Sequence, residues 1–256
     1  MTPRVITTVT AWRSELAGHR SAGRSVGFVP TMGALHRGHA SLFEAARRES
    51  DVVIASVFVN PTQFDEAQDF EKYPRTPDAD LALMAAAGVD VVFAPAVAEM
   101  YPDNRTYAVN ESALSGELCG AHRPGHFSGM LTVVLKLLQI AGADRAYFGE
   151  KDYQQLQLVR GLVRAFFLPT VIVGCPTVRE SDGLAMSSRN ARLTPTERAL
   201  APQFYAALRS APTPAEASTR LSATGFAIDY IEDREGRRFG AVRLGPTRLI
   251  DNVPLT

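Results

Sequence analysis

Two histidines lie three positions apart in a glycine-containing loop near the start of the chain. An apolar run ends at Pro30, and His36 and His39 flank Gly38 just before a helical pattern. The N-terminus of a helix offers free backbone N–H groups and a positive dipole end, and both imidazoles can face an anion bound there. The pattern predicts a phosphate site. The alternatives are two helix-capping or core histidines, or a zinc site, for which this segment offers no third ligand.

The two common glycine-rich phosphate motifs, G-x-G-x-x-G and G-x-x-x-x-G-K-[ST], are absent from the loop that carries His36 and His39. Further groups that could contact phosphate follow later predicted strands. Lys151 adds a mobile cation within Gly149-Glu150-Lys151-Asp152, at a second predicted helix start. Ser187-Ser188-Arg189 adds two hydroxyls and a guanidinium. Together these groups can neutralise a triphosphate. Taken alone, the serine-containing stretch could equally be a helix cap or a turn.

Two glutamines occur close to these segments. Gln63 follows the second predicted strand, and Gln155 lies early in the helix after Lys151. A primary amide donates and accepts hydrogen bonds, which suits recognition of hydroxyl groups and a carboxylate. The alternative is that both are solvated polar positions.

One further cluster has the spacing of a metal site. Cys119, His122 and His126 lie within eight positions, in a loop ahead of a predicted helix. One alternative is that these three residues form a metal-binding module. The other is that His126 caps the helix or lines a cleft. The chain holds only one other cysteine, Cys175, too few for a disulfide framework and typical of a reducing compartment.

Apolar runs alternate with helical patterns from about residue 25 to 180. The predicted strands are Ser25–Pro30, Asp51–Val59, Val89–Pro95, Arg145–Phe148 and Thr170–Val173. The predicted helices are Ala40–Ser50, Asp78–Ala87, Ser128–Ile140 and Tyr153–Phe167. Continuous apolar strands separated by helices predict a doubly wound α/β domain with a parallel sheet covered on both faces. Ligands bind at the carboxyl ends of such strands, where one cleft could collect all the groups above.

The pattern changes after Pro176. A segment rich in proline and threonine follows, with one predicted helix, Thr196–Ser210, and a strand-like tail, Phe226–Ile250. We therefore predict a catalytic domain over residues 1–176 and a smaller α+β, lid-like domain over residues 177–256.

Composition narrows the class of protein. The 256 residues carry 27 basic and 27 acidic side chains, so no net charge steers the chain toward nucleic acid or an anionic membrane. No apolar run is long enough to span a membrane, and the N-terminus lacks a signal-peptide pattern. With the low cysteine content, these features predict a cytoplasmic protein. Only three of the basic residues are lysines, namely Lys72, Lys136 and Lys151, and a retained lysine can mark a place that needs a compact ammonium.

Seven stretches, in order along nearly the whole chain, resemble the pantoate–β-alanine ligase family. The His-x-Gly-His element alone indicates only the wider nucleotidylyltransferase-like superfamily, and the combination specifies the ligase. The matching stretches are Phe28–His39, Val57–Phe64, Tyr73–Thr76, Arg123–Phe127, Phe148–Leu156, Ser187–Asn190 and Leu244–Asn252.

The resemblance implies condensation of (R)-pantoate with β-alanine, driven by ATP, through a pantoyl adenylate. It implies catalytic roles for His36, His39 and Lys151, with His39 as a proton donor, and substrate contacts at Asn60, Gln63 and Gln155. It further implies a Rossmann-like fold, Mg²⁺ accompanying ATP, and a homodimer. The implied ATP contacts are Met32, Gly33, His36, His39, Gly149, Lys151, Asp152, Val178, Met186, Ser187, Ser188 and Arg189.

The sequence leaves other functions open. An adenylyltransferase that leaves AMP on its product could use the same His-x-Gly-His loop, although Gln63 and Gln155 favour the ligase. A nucleotide-binding protein without catalysis is a further alternative. The chain is shorter than the family norm between Asp229-Tyr230 and Leu244-Gly245, which bears on how the C-terminal domain closes.

Overall fold

The computed structural model describes residues 2–64 and 67–255. These form two compact units, one comprising residues up to 149 together with 154–175, the other 150–153 together with 176 onward. Segment 150–153 therefore packs with the second unit although it directly follows a strand of the first.

The first unit is built on a six-stranded parallel sheet, which confirms the predicted fold class. Its strand order is β1-β4-β3-β2-β5-β6. The strands are β1 (Arg4–Ile6), β2 (Val26–Thr31), β3 (Val52–Val57), β4 (Val91–Phe93), β5 (Arg145–Gly149) and β6 (Val171–Cys175). Strands β3 and β4 are added on one side of β2, and β5 and β6 on the other, so the topological switch point lies between β2 and β5.

Helices cover both faces of this sheet. They are α1 (Val9–Ser21), α2 (Arg37–Glu49), α3 (Ala67–Glu71), α4 (Pro77–Ala86), α5 (Val97–Met100), α6 (His126–Ala141) and α7 (Tyr153–Ala165). On one face Phe43 of α2 and Met84 of α4 pack against Val29 and Val53. On the other face Trp12 of α1 packs on Phe93 of β4, with ring centroids 4.9 Å apart. Burial on both sides explains why these strands have continuous apolar sequences.

Four elements of this unit, namely β1, α1, α3 and α5, were not predicted from the sequence. Helices α3 and α5 have only five and four residues, too few to show a helical period. Strand β1 has only three residues, and α1 buries only Trp12 and Leu16, so its apolar stripe is narrow. The remaining strands and helices lie where they were predicted, with ends displaced by a few residues.

The second unit combines three helices with a three-stranded antiparallel sheet in the order β7-β8-β9. Its elements are α8 (Pro195–Leu200), α9 (Pro202–Ser210), α10 (Pro214–Ser222), β7 (Ala227–Arg234), β8 (Arg237–Leu244) and β9 (Thr247–Pro254). Helix α9 lies close against the sheet: a Cβ on Gly240 would stand 2.8 Å from the Phe204 ring. Glycine at this position therefore permits the close packing of helix on strand.

The single helix predicted over Thr196–Ser210 is wrong, because the chain forms two helices there. Proline lacks the backbone N–H and clashes with the preceding turn, so α8 ends and α9 begins at Pro202. Helix α10 was also missed, although its start carries a recognisable signal. Thr213 caps it by accepting a hydrogen bond from the backbone N–H of Glu216, and Pro214 takes the first helical position.

Within residues 2–64 and 67–255, no helix is both long and apolar enough to cross a bilayer.

A buried arginine ties the C-terminal end of α9 to the sheet of the second unit. Arg238, 2% exposed, pairs with Asp233 at 2.7 Å and donates to the carbonyl oxygens of Leu208 and Ala211. Truncating one partner of such a pair leaves the other group and two carbonyls without their charged donor.

We expect Arg238→Met to lower the free energy of unfolding by about 3–5 kcal/mol. The control is Arg243→Met, because Arg243 is 46% exposed and its pair with Asp229 should contribute under about 1 kcal/mol. Urea denaturation followed by circular dichroism measures both. Equal losses in the two variants would contradict the role assigned to Arg238.

Candidate active site

The loop after β2 leads directly into α2 and carries the two histidines. His36 is the N-cap residue, and its Nδ1 accepts a hydrogen bond from the backbone N–H of Gly38 at 3.1 Å. His39 reaches back, and its Nδ1 accepts from the backbone N–H of His36 at 3.3 Å. The two imidazoles thus form a reciprocal capping box, with ring centroids 4.2 Å apart.

This cap determines where the ring protons lie. A ring nitrogen that accepts a hydrogen bond carries no proton, so the neutral imidazoles of His36 and His39 are protonated on Nε2. The helix-capping alternative and the phosphate-site prediction are therefore compatible, since capping uses Nδ1 and hydrogen-bond donation uses Nε2. Protonation of Nδ1 in either ring would abolish its cap.

The loop between β2 and α2 is held by a buried carboxylate that the sequence analysis missed. Gly33 has a φ of +80°, in the left-handed region that favours glycine, and its Cβ would lie 2.9 Å from Asp80. The Asp80 carboxylate accepts from the backbone N–H groups of Ala34 at 3.0 Å and Leu35 at 2.8 Å. It also accepts from the Thr76 hydroxyl at 3.0 Å. Asp80 fixes the loop, and with it the start of α2.

The turn after β3 lies beside this loop because β2 and β3 are paired in parallel, with Thr31 opposite Val57. Asn60 is fully buried and caps the short 3₁₀ turn Pro61–Gln63. Its amide donates to Gln63 Oε1 at 2.9 Å, and Gln63 Nε2 contacts Met32 Sδ at 3.2 Å. Three of the predicted site residues, Met32, Asn60 and Gln63, are thus brought together.

The start of α6 supports the same turn. His126 Nδ1 lies 2.8 Å from the Gln63 carbonyl oxygen, and its Nε2 lies 3.1 Å from Arg123. Across residues 2–64 and 67–255, no three or more His, Cys, Asp or Glu side chains converge in the manner of a metal site. His126 therefore contacts Gln63 and Arg123 rather than joining Cys119 and His122 in a metal cluster.

The segment after β5 is held by the end of the chain. Asn252, buried on β9, donates its side-chain amide to the carbonyl oxygens of Glu150 at 2.8 Å and Lys151 at 3.0 Å. The Lys151 ammonium lies 3.8 Å from the Asp152 carboxylate. Asn252 falls within a stretch quoted for the family resemblance, but no local pattern signals its contact.

The two neighbouring glutamines of α7 differ in environment. Gln154 is buried, donates to the carbonyl oxygens of Leu114 and Glu117, and accepts from the Cys119 N–H. Gln155, the predicted substrate residue, is half-buried. Gln154 is therefore the structural member of the pair.

Gly149 is the last residue of β5 in the first unit, and the remaining predicted ATP residues form one local structure in the second unit. The Met186 N–H donates to the Val178 carbonyl at 3.0 Å, and Arg179 pairs antiparallel with Ala185, so residues 178–186 form a short hairpin. Ser187 caps the 3₁₀ helix Ser188–Arg192 by accepting from the Arg189 N–H at 3.2 Å, so the helix cap weighed as the alternative for this stretch is present.

This hairpin is anchored through Arg179, which lies one residue after Val178. Arg179 makes a bidentate pair with the buried Asp251, at 2.6 and 3.0 Å, and its guanidinium lies 3.7 Å from the centroid of the Tyr205 ring. Like Asp80, Asp251 is a buried carboxylate that positions a candidate ATP segment without belonging to it.

The fold and the loop after β2 together define the class of protein. A doubly wound parallel sheet with two Nε2–H donors at a helix start, beside its switch point, is a nucleotidylyltransferase-like α/β enzyme fold. The family model for pantoate–β-alanine ligase matches residues 4–254, and the chain belongs to this family.

Individual relatives agree with this assignment. A pantothenate synthetase from Bdellovibrio bacteriovorus is 54% identical over 245 residues, covering 96% of this chain and 95% of the relative. A pantothenate synthetase structure from Thermus thermophilus has a TM-score of 0.91 at 44% identity, covering 98% of this chain and 99% of that one.

A third relative was solved with ligands. The pantoate–β-alanine ligase from Francisella tularensis, complexed with beta-gamma ATP and beta-alanine, has a TM-score of 0.93 at 42% identity. The match covers 98% of this chain and 97% of the Francisella tularensis chain. These comparisons confirm the predicted ligase, and they do not favour an adenylyltransferase that leaves AMP on its product.

We expect Asp80→Asn to disturb the loop before α2, because the amide group can no longer accept from both backbone N–H groups. The free energy of unfolding should fall by about 1–3 kcal/mol, and KM for ATP should rise. Asp78→Asn is the matched control, since Asp78 is exposed in the first turn of the same helix. Urea titration and steady-state kinetics measure both quantities, and an unchanged KM for ATP would contradict the proposed positioning.

Proposed function

We propose that this chain condenses (R)-pantoate with β-alanine in two steps, using ATP and releasing AMP and pyrophosphate. The observation that carries the residue assignment is the reciprocal cap of His36 and His39, which fixes two N–H donors at the start of α2.

In the first step a pantoate carboxylate oxygen attacks the α-phosphorus of ATP. A new P–O bond forms, the bond to the β-phosphate oxygen breaks, and pyrophosphate leaves with the bonding electron pair. Negative charge spreads over the phosphoryl oxygens as this happens, and fixed donors stabilise it. We assign this role to Nε2–H of His36 and His39 and to the Lys151 ammonium, with His39 donating to the departing group.

Other residues hold the nucleotide. Supporting this role, Ser187 caps a helical turn whose first residues supply a hydroxyl and a guanidinium. The proposed ATP contacts are Met32, Gly33, His36, His39, Gly149, Lys151, Asp152, Val178, Met186, Ser187, Ser188 and Arg189.

In the second step the neutral amine of β-alanine attacks the acyl carbon of pantoyl adenylate. The C–N bond forms, the bond to the AMP oxygen breaks, and the amine proton is lost to solvent or a nearby base. We assign substrate binding to Gln63 and Gln155, whose amides suit hydroxyl and carboxylate oxygens. Asn60, expected from the sequence to contact substrate, is fully buried and hydrogen-bonded through both ends of its amide, so we assign it to holding Gln63. Water must be excluded at this stage, because it would hydrolyse the mixed anhydride. The lid role of residues 177–256 stays a prediction.

We propose that Mg²⁺ binds together with ATP. Mg²⁺ takes phosphate oxygens, waters and one or two carboxylates rather than a protein cage. Asp152 is the one carboxylate in the proposed ATP set, and its half-exposed side chain beside Lys151 fits this modest demand. When bound, the ion neutralises phosphate charge.

We also propose a cytoplasmic homodimer. The reaction uses ATP, and both cysteines are free and buried, which fits a reducing compartment. Strand β6 ends the sheet, with Val171 exposed on it and Phe166 and Phe167 exposed just before it. An apolar patch beside an open sheet edge is typical of a surface that a second copy covers.

We expect Lys151→Ala to slow adenylation by about a hundredfold or more, because a cation that stabilises the transition state is lost. Exchange of labelled pyrophosphate into ATP, with pantoate present and β-alanine absent, isolates this step. Lys72→Ala is the control, since Lys72 is an exposed lysine outside the proposed site. Wild-type exchange in Lys151→Ala would overturn the assignment, and exchange independent of pantoate would overturn the proposed first step.

A further inference from the structure

The amide of Asn60 is held by partners on both sides. Its Oδ1 accepts from the Tyr101 hydroxyl at 2.7 Å and the Thr62 hydroxyl at 3.0 Å. Its Nδ2 donates to Gln63 Oε1 at 2.9 Å and to the Gly129 carbonyl at 3.1 Å. The Gly129 carbonyl oxygen can only accept, so it requires Nδ2 on its side, and the two hydroxyls then donate to Oδ1 on the other.

This orientation determines which end of Gln63 can bind a substrate. Gln63 Oε1 already accepts from Asn60, so the amide nitrogen is the end directed elsewhere, toward Met32 Sδ at 3.2 Å. A thioether sulfur is a weak acceptor that a substrate oxygen readily replaces. Gln63 is therefore presented as a hydrogen-bond donor.

Tyr101 makes the shortest hydrogen bond to Asn60, and Lys136 lies against its ring. The Tyr101 ring is buried, burial raises its pKa, and the hydroxyl therefore stays protonated as a donor. The Lys136 ammonium lies 4.3 Å from the centroid of this ring, held there by the Met100 carbonyl at 2.9 Å and by Asp103 at 3.3 Å. A cation over the ring face withdraws electron density and makes the phenol a better donor. Lys136 is one of the three lysines retained in this arginine-rich chain.

We propose that Lys136 and Tyr101 are positioning residues that act through Asn60 and fix Gln63 as a donor to a substrate oxygen. The consequence for specificity is that this position accepts a carboxylate or hydroxyl oxygen and rejects an ammonium group. The proposal rests on the proposed function of Gln63 in binding pantoate and β-alanine.

The first test is a double-mutant cycle between Tyr101→Phe and Gln63→Ala. Tyr101→Phe should raise KM for pantoate by about three- to tenfold with little change in kcat, since it removes an interaction common to the ground and transition states. KM for ATP should stay unchanged. In the Gln63→Ala background the same substitution should add nothing, because its effect passes through Gln63.

Lys136 is tested in the same assay. Lys136→Met should raise KM for pantoate in the same direction by a smaller factor, about twofold to threefold. Lys136→Arg keeps a cation over the ring and should restore most of the affinity. If Lys136→Met leaves KM for pantoate at the wild-type value, Lys136 takes no part in the positioning.

The matched control is Tyr147→Phe. Tyr147 is also a buried tyrosine of the first unit, but its hydroxyl bonds Glu49 at 3.1 Å and has no link to Asn60. This variant should lose stability by an amount similar to Tyr101→Phe while keeping the wild-type KM for pantoate. An equal rise in KM in both variants would show that loss of any buried hydroxyl suffices, which overturns the proposal.

The donor polarity is tested by Gln63→Glu. The carboxylate still accepts from Asn60 but presents an oxygen where the amide presented N–H. We expect KM for pantoate to rise further than in Gln63→Ala. A Gln63→Glu variant that binds as well as wild type would contradict the proposed polarity.

The outcomes separate this proposal from the one on which it rests. If Gln63→Ala leaves KM for both pantoate and β-alanine unchanged, the substrate role of Gln63 fails. Suppose instead that Gln63→Ala raises KM. If Tyr101→Phe then has no effect on KM in the wild-type background, or if its effect adds fully to that of Gln63→Ala in the double mutant, the substrate role of Gln63 stands and the positioning by Tyr101 fails.

Discussion

The capping box between His36 and His39 is the interaction on which the proposed chemistry depends. It satisfies two backbone N–H groups at the start of α2 and at the same time fixes the tautomer of both rings. The two demands fit together because each imidazole has one nitrogen for the backbone and one for a ligand. A stronger capping residue such as serine or aspartate at position 36 would serve the helix and supply no N–H donor.

In each of the two units, buried polar groups hold the segments that carry the proposed nucleotide contacts, without contacting the nucleotide themselves in our proposal. Asp80 holds the loop before α2, Asn252 holds the Lys151 segment, and Asp251 with Arg179 holds the Val178 hairpin. Each satisfies backbone or charged groups that would otherwise be buried without partners, so its role in stability and its role in function coincide. The orientation of Asn60 by Tyr101 and Lys136 follows the same logic.

The parts of the fold that the sequence predicts are those with a local signal. Strands β2 to β6 are continuous apolar runs bounded by glycine, proline or asparagine, and helices α2 and α7 are amphipathic. Helix α1 escapes prediction because only Trp12 and Leu16 are buried, which leaves its pattern mostly polar. The break at Pro202 and the cap at Thr213 have local signals, but the other prolines around them obscure the helix boundaries.

The residues of the candidate site likewise divide into those with a local sequence signal and those without one. The types and spacing of His36, His39 and Lys151 predict binding of phosphate. This is because a helix that starts after a parallel strand presents the positive end of its dipole at the edge where ligands bind. Asp80, Tyr101 and Lys136 could not be assigned roles, because their partners are distant in sequence and are brought near only by the sheet and α6. Sequence also could not decide between capping and ligand binding for the histidines, since that choice concerns individual ring nitrogens.

The most direct test of the central claim is ¹⁵N NMR of the imidazole nitrogens at neutral pH. The chain has five histidines, so single substitutions can assign the resonances of His36 and His39. We predict that both rings are neutral, with the proton on Nε2 and none on Nδ1. A proton on Nδ1 of either ring would contradict the reciprocal cap and the donor role that follows from it.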